Sequence, residues 1–417
     1  MNFFKKTFEY MEAASIAHAK WDYEVSMNIL HRKKRFLILG GVAATWIILA
    51  AIAANASDIL GGKTAYAPAF YATNVFLVSI AIGFCAGLIT GCIGAGGGFI
   101  ITPALMAVGV KGILAVGTDL FHIFAKAIMG SVLHGKLGNV NVKIAMAFLV
   151  GSIGGATLGG IIQKAIYAKD PILSDAFLSI IYALILGLLG WYGVSDFLKK
   201  RRQFRIPLEA RPPTPAEVKL AFRLQSLNIP PAVKFDEDIV PGGKKISGVI
   251  LAAGGFVVGL ASTLMGVGGG FITFPMFVYV FGISTFTTVG TDIFQIVFTA
   301  GYSGIAQYAI YGFVFYTLAM GMLLGSLLGI QIGALTTKVV KGITIRGFWV
   351  TTILAGFINR ITALPKQFSE LGIINLPKTL CLGIEKAGFY IFWIIIVTFV
   401  LWVLGTFIRN IKTFREE

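Results

Sequence analysis

Two glycine-rich motifs about 172 residues apart carry the strongest chemical signal in the sequence. GAGGGF spans residues 94–99, and GVGGGF spans residues 266–271. Three consecutive glycines unwind a helix and let the backbone approach a ligand closely. Amides at the start of the following helix carry partial positive charge, so they can bind an anion without a full cation. Close helix packing is the alternative. The candidate substrate-binding amides belong to Gly96, Gly97, Gly98, Gly268, Gly269 and Gly270.

A Thr-Asp pair follows each glycine motif, at the start of the next apolar helix. The sequence VGTD occurs twice and contains Thr118–Asp119 and Thr291–Asp292. A buried carboxylate is costly in a membrane unless it is paired or protonated, so either aspartate is a candidate for a coupling proton. The two threonines are candidate hydroxyl donors to a substrate. Simple capping of the helix by these residues is the alternative interpretation.

The two copies differ in the residues that follow the aspartate. The first copy places His122 and Lys126 three and seven residues after Asp119, on one helical face, whereas the second has Gln295 and Thr299 there. An intramembrane lysine needs a counter-charge, which is either the aspartate or a bound anion. The alternative is that Lys126 extends towards the membrane surface. We therefore predict His122, Lys126 and Gln295 as substrate contacts.

The composition is that of a membrane protein. The chain has 417 residues, of which 56% are hydrophobic and 13% are charged. Many continuous apolar runs match the roughly 20 residues that a helix needs to cross the hydrocarbon core. Because lipid offers the backbone no hydrogen bonds, only helices or a closed barrel can span it, and the continuous rather than alternating runs favour helices. The sequence predicts an all-α polytopic membrane protein.

The charge distribution indicates the orientation of the chain. Of the 35 lysines and arginines, 21 lie before Phe36, between Lys199 and Lys245, or from Arg409 onward. Basic segments beside membrane spans are typical of the cytoplasmic side. This bias accounts for the net charge of +16 without a nucleic-acid partner. We expect a multi-pass protein of the cell membrane, in contact with lipid, with both termini in the cytoplasm.

The sequence contains no pattern that predicts an enzyme, a metal site or a cofactor. Its three cysteines are too few and too dispersed for a disulfide framework or a zinc site. The glycine motifs lie between apolar helices rather than after a strand, so they do not indicate a dinucleotide-binding loop. No nucleophile and base occur in a recognisable pattern.

The apolar runs predict two repeats of about five helical segments each. An odd number of crossings makes the halves enter the membrane from opposite faces, which is an inverted-topology repeat. The segments that follow the glycine motifs are too short to cross alone. The predicted organisation is a cytoplasmic leader (1–35), an extra first span with an outer loop (36–74), the first repeat (75–198), a basic, mostly extended cytoplasmic linker (199–245), the second repeat (246–361), and an interfacial segment, an extra terminal span and a cytoplasmic tail (362–417).

These motifs resemble those of the sulfite exporter TauE/SafE family of membrane permeases. The resemblance is carried by GxGGGFxxxP at 94–103 and 266–275, by the two VGTD sequences, and by two late GxxxGxxxG runs. It covers about 240 residues. It implies an inverted-repeat secondary carrier of sulfite, organosulfonates or related small anions.

The sequence therefore predicts a carrier that moves a small anion by alternating access, with one of the two aspartates as the proton site. A passive anion channel and a membrane-embedded scaffold are the alternatives. The anion, the direction of transport, the coupling ion and the oligomeric state, including a homodimer, stay open.

Overall fold

The computed structural model describes residues 73–93, 97–137, 140–203, 215–227, 229–236, 243–337, 339–340 and 342–410. This part of the chain is almost wholly helical, which confirms the predicted all-α polytopic membrane class. Its helices that are long and apolar enough to cross a membrane are Val75–Cys92, Val142–Lys169, Pro171–Ser195, Gly248–Met265, Tyr316–Gly333, Gly347–Glu370 and Lys378–Arg409. The predicted leader (1–35), the predicted first span (36–56) and Gly96 lie outside the described residues.

The described residues form the following helices and strands. In chain order they are α1 (Thr73–Ile93), α2 (Gly98–Ala107), α3 (Gly112–Leu137), α4 (Val142–Lys169), α5 (Pro171–Gln203), α6 (Pro215–Ser226), β1 (Ala232–Phe235), β2 (Lys244–Ser247), α7 (Gly248–Met265), α8 (Gly270–Pro275, continued by the π-helical turn Met276–Val280), α9 (Thr285–Tyr302, continued by the π-helical turn Ser303–Tyr308), α10 (Tyr316–Thr337), α11 (Gly342–Glu370) and α12 (Lys378–Arg409).

Short polar side chains mark the starts of several helices. The Asn141 side chain accepts a hydrogen bond from the Ile144 amide at the start of α4, at 3.1 Å. Ser247 and Ser284 accept equivalent bonds at the starts of α7 and α9. These residues satisfy amides that have no partner within the helix.

Glycines join helices of the first repeat to helices of the second. A Cβ built on Gly155 of α4 would overlap the Phe256 carbonyl oxygen of α7, and one on Gly325 of α10 would overlap the Ile80 carbonyl oxygen of α1. The successive contacts run in the same chain direction in both pairs, so α4 is parallel to α7 and α1 is parallel to α10. The GxxxGxxxG runs therefore serve close helix packing, as in other membrane helix pairs.

Helices α3 and α9, which carry the two VGTD motifs, run antiparallel to each other. Gly301 of α9 packs against Phe124 of α3, and Gly304 packs against Phe121, so the two helices run in opposite directions. Helices α5 and α11 meet in the same manner, for example where Gly187 faces Phe357.

The described part of the linker is folded, so the prediction of a mostly extended segment is wrong there. Strands β1 and β2 form an antiparallel pair in which Val233 faces Ile246. Val233 and Phe235 alternate with the exposed Ala232 and Lys234, and they are buried against an apolar cluster that includes Phe277 and Phe281. The period-two pattern is short, and the apolar surface that it covers comes from distant membrane helices.

The predicted interfacial segment also differs from the structure. Helix α11 does not end near residue 361 but continues to Glu370, and α12 begins at Lys378. Pro365 lies inside α11, although a proline in a helix interior favours an earlier end to the helix.

Candidate functional site

The two glycine motifs meet each other. Helix α2 begins at Gly98 and α8 begins at Gly270. The residue before each helix is a glycine, so no side chain at that position caps the first amides of the helix. A Cβ built on Gly98 would lie 2.8 Å from the Val267 Cα, so the backbones of the two motifs are in contact. The rings of Phe99 and Phe271, which end the motifs, are 5.9 Å apart. We call these two contacting turns, at residues 97–98 and 266–270, the glycine tips.

The second glycine tip needs glycine for its backbone conformation. Gly266, Gly268 and Gly269 have φ angles of +78°, +66° and +90°. This left-handed region is accessible to glycine without a steric penalty and is unfavourable for other residues. The tip is buried, and a side chain on Gly268 would collide with Ile123 of α3.

Asp119 lies in a fully buried polar cluster near the glycine tips, where the Thr102 hydroxyl approaches Gly266. One carboxylate oxygen accepts a hydrogen bond from the Thr102 hydroxyl at 3.1 Å, and the other is 3.6 Å from Nδ1 of His122. The opposite ring nitrogen of His122, Nε2, is 3.0 Å from the Ser326 hydroxyl of α10. Within the described residues, the Asp119 Oδ1 and His122 Nδ1 atoms make no hydrogen bond. The carboxylate thus has spare acceptor capacity.

Lys126 contacts the first glycine tip through a threonine. Its ammonium donates to the Thr90 hydroxyl of α1 at 3.2 Å, and the Gly97 amide donates to the same oxygen at 2.7 Å. The predicted i, i+3, i+7 face of α3 therefore brings Asp119, His122 and Lys126 to one region next to the tip. In this conformation the Gly97 amide is occupied by Thr90.

Sequence reasoning missed Thr90 and Thr102. Thr90 lies 36 residues from Lys126 and seven from Gly97, and its contacts arise only when α1 packs against α3. Thr90 lies one turn before the first motif, and Thr102 lies in the helix that follows it. Such positions are a weak signal of a binding role, because threonine often bonds its own helix, as Thr90 does to the Ala86 carbonyl.

The second copy has a neutral polar chain at the equivalent place. Asp292 accepts a hydrogen bond from the Gln295 amide at 3.0 Å, and Gln295 accepts one from Thr299 at 2.8 Å. Thr299 is in turn 2.6 Å from the Ser152 hydroxyl of α4. Gln295 thus lies beside the aspartate, as His122 does in the first copy.

Each of these polar clusters ends on a serine from the other repeat. Ser326 follows a glycine in GSLLG of α10, and Ser152 follows a glycine in GSIGG of α4. His122 reaches Ser326, whereas Thr299 reaches Ser152. The arrangement is therefore similar in both copies, and among the described residues the aspartate has ionisable neighbours on its own helix in the first copy and neutral ones in the second.

Thr118 and Thr291 form contacts between the repeats. The Thr118 hydroxyl accepts a hydrogen bond from the Phe315 amide, 3.0 Å away, just before α10. The Thr291 hydroxyl accepts one from the Asn141 amide, 2.9 Å away, just before α4. Both threonines are fully buried. Each one satisfies an amide at the start of a helix from the other repeat, and a contact with substrate stays a prediction.

No three His, Cys, Asp or Glu residues of the described ranges lie in a group that could hold a metal ion. The chemistry available at the tips is therefore that of hydrogen-bond donors, two carboxylates, an imidazole and an ammonium group.

Comparison with known proteins identifies the family. The model of the family described as Sulfite exporter TauE/SafE matches residues 79–360, which is more than half of the chain. The chain belongs to the sulfite exporter TauE/SafE family. The match includes both glycine motifs and both aspartates, so the site described above lies within the part shared with the TauE/SafE family.

Several relatives are similar over all or part of this region. The Bacillus subtilis (strain 168) protein named "Probable membrane transporter protein YjnA" is 27% identical over 259 residues, covering 61% of this chain and 87% of the relative. A "Probable membrane transporter protein" of Xylella fastidiosa (strain 9a5c) is 25% identical over 262 residues, covering 62% and 84%. "Sulfite exporter TauE/SafE family protein 6" of Arabidopsis thaliana is 38% identical over 76 residues, covering 18% of each chain. No solved structure matches this chain.

TauE/SafE membership, together with the names of these relatives, identifies the chain as a multi-pass membrane transporter rather than an enzyme.

Proposed function

We propose that this transporter is a secondary carrier of a small anion, a sulfur oxyanion or an organosulfonate, which it moves by alternating access in exchange with or together with a proton. The observation that carries the proposal is the contact of the Lys126 ammonium and the Gly97 amide with one threonine oxygen. An anion that displaced this hydroxyl would meet a full positive charge and a backbone donor together.

The antiparallel packing of corresponding helices supports the alternating-access part of the proposal. Helices α3 and α9 carry the two VGTD motifs and run in opposite directions. Carriers built from inverted repeats bind their substrate where the repeats meet at broken helices, near the middle of the membrane. The contacting glycine tips are such a place. Their burial corresponds to a closed state of the pathway.

The polar cluster around Asp119 supports proton coupling. Its carboxylate lies 3.6 Å from an imidazole nitrogen and has a vacant acceptor position. A carboxylate in such a buried place can exchange a proton with a neighbouring group, since burial disfavours its charged form unless a cation is near. Asp292, which accepts a hydrogen bond from the neutral Gln295, is the second candidate.

Uptake into proteoliposomes tests the proposal. The purified protein is reconstituted, and the uptake of radiolabelled sulfite, sulfate, thiosulfate, sulfoacetate and a short carboxylate is measured with and without an imposed pH gradient. A carrier gives saturable uptake of at least one sulfur anion and responds to the gradient. Uptake that rises linearly with concentration would indicate a passive channel, and no uptake of any anion would refute the proposal.

A further inference from the structure

A cavity of about 520 Å³ lies where α2, α5, α11 and α12 meet, away from the glycine tips. Its lining includes Met106, Lys111, Asp175, Arg360, Lys366 and Glu385. We propose that this cavity is a second anion site, which captures a small soluble oxyanion or sulfonate before the anion reaches the tips. The inference rests on the proposed transport of an anion for its purpose, but its binding chemistry stands on the cavity itself.

Arg360 supplies the positive charge of this site. Its side chain is only 3% exposed although it lines the cavity. Its guanidinium donates to the Asn359 side-chain oxygen at 2.9 Å and to the Met106 sulfur at 3.1 Å, and both of these partners are neutral. A guanidinium has five N–H donors and is costly to bury without a counter-charge.

Two of the three acidic residues that line the cavity, Asp175 and Glu385, have other partners, and the third is Glu370. Asp175 accepts a hydrogen bond from the Gly112 amide, 2.8 Å away, at the start of α3. Glu385 forms an ion pair with Lys366 at 3.0 Å. Asp175 and Glu385 attract Arg360 only from beyond ion-pair distance, and no carboxylate of the described residues pairs with it directly. A bound anion would supply the missing partner.

Helix α11 connects this cavity to the glycine tips. Gly356 lies one turn before Arg360, and a Cβ built on it would be 3.6 Å from the Phe99 carbonyl oxygen of the first motif. The fully buried Tyr182 of α5, a helix that borders the cavity, donates a hydrogen bond to the Met265 carbonyl oxygen just before the second glycine tip. Since α2 has ten residues, its two ends are about 15 Å apart, and it spans the distance from tip to cavity.

The size of the cavity and the depth of Arg360 favour a soluble anion over a lipid headgroup. Ligand sites usually occupy about 300–1,000 Å³, and a small sulfonate fits in this volume with water. Basic side chains that hold lipid headgroups extend to the membrane surface, whereas the Arg360 side chain is buried.

Charge-selective cysteine labelling tests the cavity without knowledge of the transported substrate. The native cysteines are replaced (Cys85→Ala, Cys92→Ala, Cys381→Ala), and Gln367→Cys, which lines the cavity, is introduced into the full chain in phosphatidylcholine nanodiscs. The probes are the anionic sulfonatoethyl and the cationic trimethylammonioethyl methanethiosulfonates. Ile373→Cys, at a 63% exposed position that does not line the cavity, is the matched control.

We expect the anionic reagent to be favoured at position 367 over the control by about tenfold, because a positively charged cleft concentrates anions. Arg360→Gln should abolish the preference, Arg360→Lys should retain most of it, and methanesulfonate should slow the labelling. The thermal stability of each variant shows whether it is folded. If Arg360→Gln does not fold, the labelling of Arg360→Lys provides the test instead.

Equal preferences at positions 367 and 373, or a preference that survives Arg360→Gln, would overturn the inference. Protection by phosphatidylglycerol but not by methanesulfonate would also overturn it, because it would assign the cavity to a lipid headgroup. If the preference is present but proteoliposomes take up no anion, the binding site stands and the proposed transport function fails.

Discussion

At the scale of single residues, the Thr90 hydroxyl is the point where the cation and the first glycine tip meet. The Lys126 ammonium and the Gly97 amide both donate to it. Lys126 is partly buried, so its charge acts at the tip rather than at the membrane surface. Substitutions of Lys126 should therefore change the affinity for the anion.

Replacing Lys126 should weaken anion binding. Lys126→Ala removes the ammonium next to the tip, and we expect KM for the transported anion to rise at least about tenfold, since charge-assisted hydrogen bonds contribute roughly 1.5–3 kcal/mol. Initial uptake rates in proteoliposomes measure the effect. Lys143→Ala, at an exposed position at the start of α4, is the control. Equal, small changes in both variants would exclude Lys126 from the substrate path.

Replacing Asp119 should separate transport from the proton gradient. Asp119→Asn keeps the size of the side chain but cannot exchange a proton, so we expect uptake that no longer responds to an imposed pH gradient. The same measurement on Asp292→Asn tells which of the two aspartates is responsible. If both variants respond to the gradient as the unmodified protein does, neither carboxylate couples the proton.

The sequence was sufficient to bring Asp119, His122 and Lys126 together, because helical periodicity alone places them on one face. It could not identify Thr90 or Arg360. Their contacts depend on which helices pack against each other. Thr90 is 36 residues from Lys126 in the sequence, and Arg360 is 254 residues from Met106. Lone polar residues in apolar helices do not indicate such partners.

At the scale of elements, the glycine-lined contact between α4 and α7 sets how closely the two repeats approach. On α4, Gly155 faces the Phe256 carbonyl, whereas a Cβ on the adjacent Gly154 would lie 3.6 Å from the Phe256 ring, which is an ordinary contact. The two neighbouring glycines therefore differ in what a methyl group would meet.

This difference gives a matched pair of variants. Gly155→Ala should destabilise the protein by roughly 1–3 kcal/mol, because the methyl group forces the helices apart. Gly154→Ala should leave stability unchanged or raise it by up to about 1 kcal/mol through helix propensity. Thermal unfolding in detergent measures both. Similar melting temperatures for the two variants would contradict the packing described here.

The folded linker contributes a second contact between elements. The buried Asp236 accepts hydrogen bonds from the Ser284 amide at 2.9 Å and from the Ser284 and Thr287 hydroxyls at 2.7 Å. These groups lie at the start of α9, the helix that carries Asp292. The linker therefore holds the end of a helix that reaches the candidate site.

Removing this carboxylate should loosen the start of α9. Asp236→Ala leaves buried donors without an acceptor, and we expect a loss of about 1–3 kcal/mol in stability. Hydrogen exchange should increase at residues 284–288 more than in α4. Asp170→Ala, which removes a comparable carboxylate cap at the start of α5, is the control and should affect only that helix. Unchanged exchange at 284–288 would show that the linker does not support α9.

The fold of the linker could not be predicted from its own residues. Its composition is basic and rich in proline, which favours an extended chain, and the alternation in β1 covers only four residues. The apolar surface that orders it is supplied by α4, α7 and α8, of which only α7 adjoins the linker in sequence.

At the scale of the whole molecule, each repeat depends on the other for its closest packing. Helix α1 lies against α10 and α4 lies against α7, with backbone contacts at glycines in both pairs. Sequence duplication predicts that the repeats are similar. It does not predict that their helices are exchanged in this way, because a repeat could equally have paired its own helices.

This exchange limits how the transporter can move and be divided. If the two sequence repeats rocked against each other as rigid blocks, the backbone contacts of α1 with α10 and of α4 with α7 would have to separate. Any moving block therefore has to contain helices from both repeats. A chain severed between residues 203 and 215 would yield fragments that are obligate partners. Neither fragment would contain the helices that its own glycines pack against. Each would therefore reach a stable fold only when the other is produced together with it.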